Sequence, residues 1–216
     1  HPMTLYKAIL ADPPWTFKTY SHKGKGRSAE AHYDCMDLKD LQKYLRRCEE
    51  GHAYYCGERL IADDCVLFLW TTDPMLPQAL SLITDWGFTY KTTGFVWAKT
   101  CRYGGKRCDL QNGREASWPI GTGYWTRANP EICLLATRGK PHRLSRSVRK
   151  LIVAPRREHS RKPDETYERI EALCEGPYLE LFGRFPRAGW DSIGNQTGIE
   201  TRKWKSNSYP PLEAFI

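Results

Sequence analysis

The sequence predicts an α/β domain built on a mostly parallel sheet with helices on both faces. Three observations point there: short apolar runs alternate with segments of helical apolar spacing, no repeat or linker divides the 216 residues, and two of the apolar runs stop at abrupt polar or glycine-marked ends. Strands that alternate with helices tend to pair in parallel and to bind ligands beyond their carboxyl ends. Residues 4–216 read as one domain, with His1-Pro2-Met3 as a scar ahead of it and 199–216 as a C-terminal tail.

Leu5 to Ala11 is an apolar run that must end at Asp12, because Pro13 and Pro14 lack the amide donor a central strand needs. Residues 16–33 carry Lys, Gly and Ser without periodicity and read as a mobile loop. Asp37 is suited to cap a helix whose Leu38, Leu41, Tyr44 and Leu45 share one face. Cys65 to Thr71 reads as a buried strand, Leu76 to Trp86 as a helix closed by Gly87, and Phe88 to Lys99 as an interrupted strand. A second irregular stretch over 101–129, with Gly104, Gly105, Gly113, Gly121 and Gly123, reads as another mobile loop. Ile132 to Thr137 and Leu151 to Ala154 read as strands. Pro163 in a first turn, Asp164 and Glu165 near the positive dipole end, and Tyr167, Ile170, Leu173 and Cys174 on one face mark a helix, after which Tyr178 to Phe182 is a last strand.

A hydrophobic content of 40%, with 12 Tyr, 8 Trp and 7 Phe, excludes disorder as the state of the whole chain. No apolar run approaches the roughly 18 to 20 residues of a membrane helix, and the N-terminus lacks the charged and apolar regions of a secretory signal. The expected location is the cytoplasm, or the nucleus in a eukaryote. Against 25 acidic residues stand 33 Lys and Arg, and the resulting charge of +8 favours a polyanionic partner. The 8 cysteines include no C-x-x-C pair and read as reduced thiols, and Cys101 with Cys108 fits no zinc pattern, so no metal is expected.

The ends Asp12-Pro13-Pro14-Trp15 and Leu181-Phe182-Gly183-Arg184 define the candidate site. Asp12, Pro13, Pro14 and Trp15 form a stiff ledge: the Asp12 carboxylate and the Pro13 carbonyl can accept the two hydrogens of an exocyclic amine, while Trp15 can stack on its base. Such an amine is a poor nucleophile, because its lone pair is delocalised into the ring, and two aimed acceptors favour the pyramidal nitrogen formed during attack. Basic residues gather nearby: Lys18, Lys23, Lys25 and Arg27 in the first loop, Arg102, Lys106, Arg107 and Arg114 in the second, and ten Lys or Arg from Arg138 to Lys162 against the single acid Glu158. They read as phosphate contacts.

Asp-Pro-Pro-Trp after a strand resembles motif IV of the amino-methyltransferases, in the form carried by the adenine-N6 methyltransferase family named for the seventy-kilodalton methyltransferase-A subunit of the mRNA adenosine methyltransferase. Further segments similar to that family follow in order: Tyr33-Asp34-Cys35-Met36, Val66-Leu67-Phe68-Leu69-Trp70, Val96-Trp97-Ala98-Lys99, Pro130-Glu131-Ile132-Cys133-Leu134-Leu135, Lys162-Pro163-Asp164-Glu165, Glu180-Leu181-Phe182-Gly183-Arg184 and Gly194-Asn195-Gln196. The resemblance implies a Rossmann-like fold in the permuted, β-type order, with S-adenosylmethionine as cofactor. It implies a cofactor pocket formed by Ala11, Asp12, Lys162, Glu180, Phe182, Gly183, Arg184, Asn195 and Gln196, and substrate contacts from Tyr33 and Glu131, beside those expected of the basic Lys18, Lys23, Lys25 and Arg27. Where the family often carries His-Asn shortly after Gly-Arg, this chain has Pro186-Arg187.

The function expected is methylation of the N6 amine of adenine in nucleic acid, with DNA favoured over RNA because the chain has no room for an appended RNA-binding module. Two alternatives stand beside it: a non-catalytic nucleic-acid-binding subunit of the same fold, and a cytosine-N4 DNA methyltransferase, since one ledge can hold either amine. A homodimer or a heterodimer with a related subunit is compatible with either.

Overall fold

Seven strands form one sheet in the computed structural model, which describes residues 5–15, 36–49, 60–101, 108–110, 117–119, 121, 123–157, 161–183 and 185–194. They are β1 (Tyr6–Ala11), β2 (Ile61–Thr71), β3 (Thr89–Thr100), β6 (Glu131–Arg138), β7 (Leu151–Pro155), β8 (Tyr178–Leu181) and β9 (Trp190–Ile193), in the order β7-β3-β6-β2-β1-β8-β9. Three α-helices, α1 (Leu38–Glu49), α2 (Leu76–Asp85) and α3 (Glu165–Leu173), a 3-10 turn at Asp73–Met75 and a small hairpin of β4 (Cys108–Leu110) and β5 (Ser117–Pro119) complete the described elements.

The sheet is mixed, which corrects the expectation of a mostly parallel one. β1 pairs in parallel with β2 and β8, β8 with β9 and β3 with β7, but β6 runs antiparallel to both β2 and β3. The cause lies in the connection from β3 to β6. A parallel return needs a crossover, usually a helix, whereas the described part of this connection holds the β4–β5 hairpin. That hairpin also gives regular structure to part of a stretch that reads as irregular from sequence alone.

Side-chain alternation along the strands divides the core between the two faces of the sheet. In β1, Ile9 and Ala11 join the cluster that contains Leu41 and Leu45 of α1 and Ala79, Leu82 and Ile83 of α2. Ala8 and Leu10 join the cluster that contains Ile170 of α3. The helix ends form as their residues dictate. Asp37 caps α1, its Oδ1 accepting from the Asp40 N–H at 2.8 Å. After α2, Gly87 takes a left-handed φ of 76° and Arg138 Nη2 donates to the Trp86 carbonyl at 2.9 Å. Arg138 therefore closes a helix, a structural role beside the phosphate contact expected of it.

The strand β9 is absent from the sequence reading, because only Trp190 and Ile193 in it are apolar and Asp191 is exposed. Trp190 anchors it, stacked on Tyr178 with ring centroids 4.9 Å apart and donating from Nε1 to Glu171 at 2.7 Å. Cys65, Cys133 and Cys174 are buried free thiols, but Cys101 is disulfide-bonded, so the reading of all cysteines as reduced does not hold there. Among the described residues no helix is long and apolar enough to cross a membrane.

Candidate active site

The parallel pairing of β1 with β8, with Ala11 opposite Leu181, brings the two strand ends singled out in the sequence side by side. Asp12 and Phe182 leave the sheet next to one another. Phe182 does so at φ 64°, in the left-handed region, its N–H held by the Ile193 carbonyl at 2.7 Å and its ring against Tyr44 at 4.6 Å. Gly183 follows because nothing larger fits: a Cβ there would lie 2.0 Å from Ser192 Oγ.

The ledge is stiff for reasons beyond its prolines. The Trp15 N–H donates to the Pro13 carbonyl and the Met36 N–H to the Pro14 carbonyl, both at 2.9 Å. Trp15 itself is only 6% exposed, packs in the core and donates from Nε1 to the Trp70 carbonyl at 3.1 Å. It cannot offer a face to a base, which corrects the stacking role expected of it. Its contribution is to fix the turn that carries Asp12.

From Asp12 a chain of alternating charges runs across the strand ends. Lys162 Nζ lies 2.8 Å from Asp12 Oδ2 and 3.2 Å from Glu131 Oε2, and Lys99 Nζ lies 2.5 Å from Glu131 Oε1. Burial on its own would raise the Glu131 carboxyl, but Lys162 and Lys99 outweigh it and hold Glu131 below the usual carboxylate range. Burial likewise works against the Lys162 charge, and Asp12 and Glu131 outweigh it, so its ammonium holds its proton more tightly than an ordinary lysine. The side chain of Asn129 locks the Lys99 backbone, accepting from its N–H at 3.0 Å and donating to its carbonyl at 2.9 Å.

Beside the ledge lies a cavity of ≈ 200 Å³ whose walls include Leu10, Asp12, Trp70, Lys162, Tyr167, Glu180, Phe182 and Arg187. Glu180 is 8% exposed. Its Oε1 accepts from Tyr167 OH at 2.7 Å, while its Oε2 is buried without a hydrogen-bond partner among the described residues. Burial is the main reason its carboxyl is raised to about 7; the Tyr167 bond, Arg187 and Arg161 offset part of this and Asp12 adds to it. A buried carboxylate oxygen lacking donors is costly, and a ligand carrying vicinal hydroxyls would supply them. Trp70 and Phe182 give the cavity aromatic walls. These features fit a nucleoside-containing cofactor such as S-adenosylmethionine.

Of the cofactor residues expected from sequence, Asp12, Lys162, Glu180 and Phe182 line this cavity. Ala11 is fully buried in the core cluster that contains α1 and α2 and is not among the residues lining the cavity. Glu131 joins the ion chain. Lys18, Lys23, Lys25, Arg27, Tyr33, Arg184, Asn195 and Gln196 lie outside the described residues. Tyr167, read in the sequence as part of an apolar helix face, is a hydrogen-bond donor to Glu180, and Lys99 and Asn129 are links that the sequence reading left without a role. Arg187, which stands in the segment where the family often has His-Asn, stacks its guanidinium over Tyr167 at 4.6 Å.

An α/β fold with a Pro-Pro ledge at one strand end and a hydroxyl-seeking carboxylate at the next describes a nucleotide-cofactor methyltransferase. The MT-A70 family model matches residues 6–196, and the chain belongs to that family. Type II methyltransferase M.MunI of Mycoplasma sp is 30% identical over 211 residues, covering 89% of this chain and 78% of that protein. The human N(6)-adenosine-methyltransferase catalytic subunit METTL3 is 32% identical over 195 residues, covering 88% of this chain, and the Arabidopsis thaliana N(6)-adenosine-methyltransferase MT-A70-like is 28% identical over the same length. The chain corresponds to 28% and 24% of the lengths of those two proteins. Family membership makes it an S-adenosylmethionine-dependent adenine-N6 methyltransferase.

The preference for DNA, and with it DNA as partner and DNA methylation as process, is overturned by relatives named for the N6 of adenosine, the ribonucleoside. The expectation rested on chain length. The alignment to those relatives covers most of this chain and about a quarter of theirs, so the length of this chain carries no information about the nucleic acid. The non-catalytic and cytosine-N4 alternatives fall with the same family match.

Proposed function

We propose that the chain methylates the N6 amine of adenosine in RNA, with Asp12 and the Pro13 carbonyl as acceptors of the amine hydrogens. The observation that carries this reading is the double position of Asp12, which stands on the ledge and also in the wall of the cavity lined by Glu180, whose Oε2 has no hydrogen-bond partner among the described residues. Asp12 and Pro13 can thus aim an amine at a group held in that cavity.

When bound, S-adenosylmethionine supplies an electrophilic methyl on a sulfonium. Glu180 would hold its ribose hydroxyls, Trp70 and Phe182 would flank it, and Arg184, Asn195 and Gln196 are assigned to it by family resemblance. Asp12 keeps acceptor capacity for an amine, since a carboxylate offers about four lone-pair sites and Lys162 takes one. Pro13 keeps a second lone pair beside the one used by Trp15. Lys162 and Glu131 fix the Asp12 carboxylate in one orientation, so its acceptors need no reorganisation as the nitrogen pyramidalises. Loss of the N6 proton follows transfer, when the nitrogen is cationic and acidic, and no strong base is required.

Residues 4–216 are read as one domain, supported by the seven-stranded sheet that joins β1, the first strand, to β9, the last described one. The parallel block of β2, β1, β8 and β9 supports a Rossmann-like reading of that half of the sheet. The cytoplasm or nucleus is the location proposed, supported by the three free buried thiols among the described residues and opposed by the Cys101 disulfide. The test is incubation with labelled cofactor and RNA, single-stranded DNA or duplex DNA, followed by mass identification of the methylated nucleoside. N6-methyladenosine in RNA is expected; label confined to DNA, or found on cytosine, would overturn the reading.

A further inference from the structure

Trp125 is 93% exposed, and its backbone lies at φ 67°, a left-handed conformation that bulky residues rarely adopt. Tryptophan ordinarily buries most of its surface. A chain that strains its backbone and still leaves the indole in solvent is holding that ring out for a partner.

The loop that carries Trp125 is built for the purpose. The Gly121 N–H donates to the Ala128 carbonyl at 2.8 Å and closes its base, and the Thr126 N–H donates to the Tyr124 carbonyl at 2.8 Å and tightens its tip. A Cβ at Gly123 would lie 2.0 Å from the Thr126 carbonyl oxygen, so only glycine allows the chain to fold back this closely. Asn129 then pins the loop to the site, donating to the Pro119 carbonyl at 3.0 Å besides its two bonds to the Lys99 backbone.

The loop opens at the same end of the sheet as the ledge. Thr71, the last residue of β2, pairs with Ile132 at the start of β6, and two residues earlier Leu69 pairs with Ala11. Glu131, two residues beyond Asn129, is joined through Lys162 to Asp12. The loop that carries the exposed Trp125 ring is thus rooted at the end of the sheet that holds Asp12.

We propose that Trp125 is a stacking platform for a nucleobase of the substrate strand adjacent to the target adenosine, an inference that rests on the RNA reading above. Every base has a face that an indole can stack on. Arg127 follows two residues later and the segment from Gly121 to Pro130 contains no acid, which suits a phosphate backbone. A narrow tip whose large side chains are Tyr124, Trp125 and Arg127 lacks the broad apolar centre of a subunit interface.

The test compares wild type, Trp125→Ala and Trp125→Phe for binding of a fluorescein-labelled single-stranded RNA, with sedimentation, melting temperature and methylation kinetics measured alongside. Trp125→Ala is expected to weaken RNA binding by about tenfold or more and to raise KM for RNA, with melting temperature and sedimentation unchanged, while Trp125→Phe retains most of the affinity. Equal RNA affinity in all three proteins, with wild type methylating RNA, would overturn this inference and leave the functional reading standing. A wild type that neither binds nor methylates any nucleic acid would overturn both. Loss of affinity that tracks a change in sedimentation would assign the ring to a protein interface and so overturn the stacking role.

Discussion

Replacing Glu180 with Gln should remove a pH dependence that the cavity builds into the stability of the cofactor-free protein. Burial holds the Glu180 carboxyl at about 7, against an ordinary value of 4.5. Between those two values the folded protein keeps a proton that the unfolded chain has released. The associated stability is fully present below the lower value, declines as pH rises through the interval and is lost above about 7. At about 1.4 kcal/mol per pH unit, the gap corresponds to on the order of 3 kcal/mol. Glutamine keeps an acceptor for Tyr167 OH but does not titrate. Urea unfolding of both proteins from about pH 5 to pH 8 should show wild type losing on the order of 3 kcal/mol relative to the variant. A difference that stays constant across that range would refute the reasoning. Cofactor hydroxyls that donate to the ionised carboxylate should also make binding tighten with pH up to about 7 and release a proton, which calorimetry in buffers of different ionisation enthalpy would detect.

Lys162→Met leaves Asp12 and Glu131 without their shared cation and should destabilise the fold by about 3–5 kcal/mol in urea unfolding at neutral pH. Trp15→Ala should cost about 3–5 kcal/mol through loss of a buried ring, whereas Trp15→Phe, which loses mainly the bond to the Trp70 carbonyl, should cost about 1 kcal/mol; thermal melts distinguish the two. Gly183→Ala drives a methyl against Ser192 Oγ and should cost about 1–3 kcal/mol, part of which Ser192→Ala in the same chain restores.

The sequence is most informative where local chemistry alone decides the structure. Asp12-Pro13 must end a strand because proline has no amide to donate, and β1 does end at Ala11. The Leu38, Leu41, Tyr44 and Leu45 stripe and the Asp37 cap specify α1, and Gly87 specifies the end of α2. What stayed hidden depends on pairing between distant segments. The direction of β6 follows from the path of residues 101–130, and no local signal separates an antiparallel Ile132 to Thr137 from a parallel one. At the site, Asp12 is legible from the strand end it marks, whereas Lys162 and Glu180 are legible only through the family resemblance of their segments. The burial of Trp15 is not legible, because an aromatic after a turn can face inward or outward, and only the placement of Trp70 decides it. Lys99 and Asn129 were invisible for the same reason: their partners lie across the sheet and in a following loop.

The central claim is that Asp12 accelerates methyl transfer by accepting a hydrogen of the attacking amine. Its most direct test is the single-turnover rate of methyl transfer to RNA in wild type, Asp12→Asn and Asp12→Ala, measured with cofactor and RNA both saturating so that affinity does not enter. The geometry predicts rates lower by on the order of 10² to 10³ in Asp12→Ala, with Asp12→Asn in between and the melting temperatures showing folded protein. A rate in Asp12→Ala within a few-fold of wild type would contradict the claim.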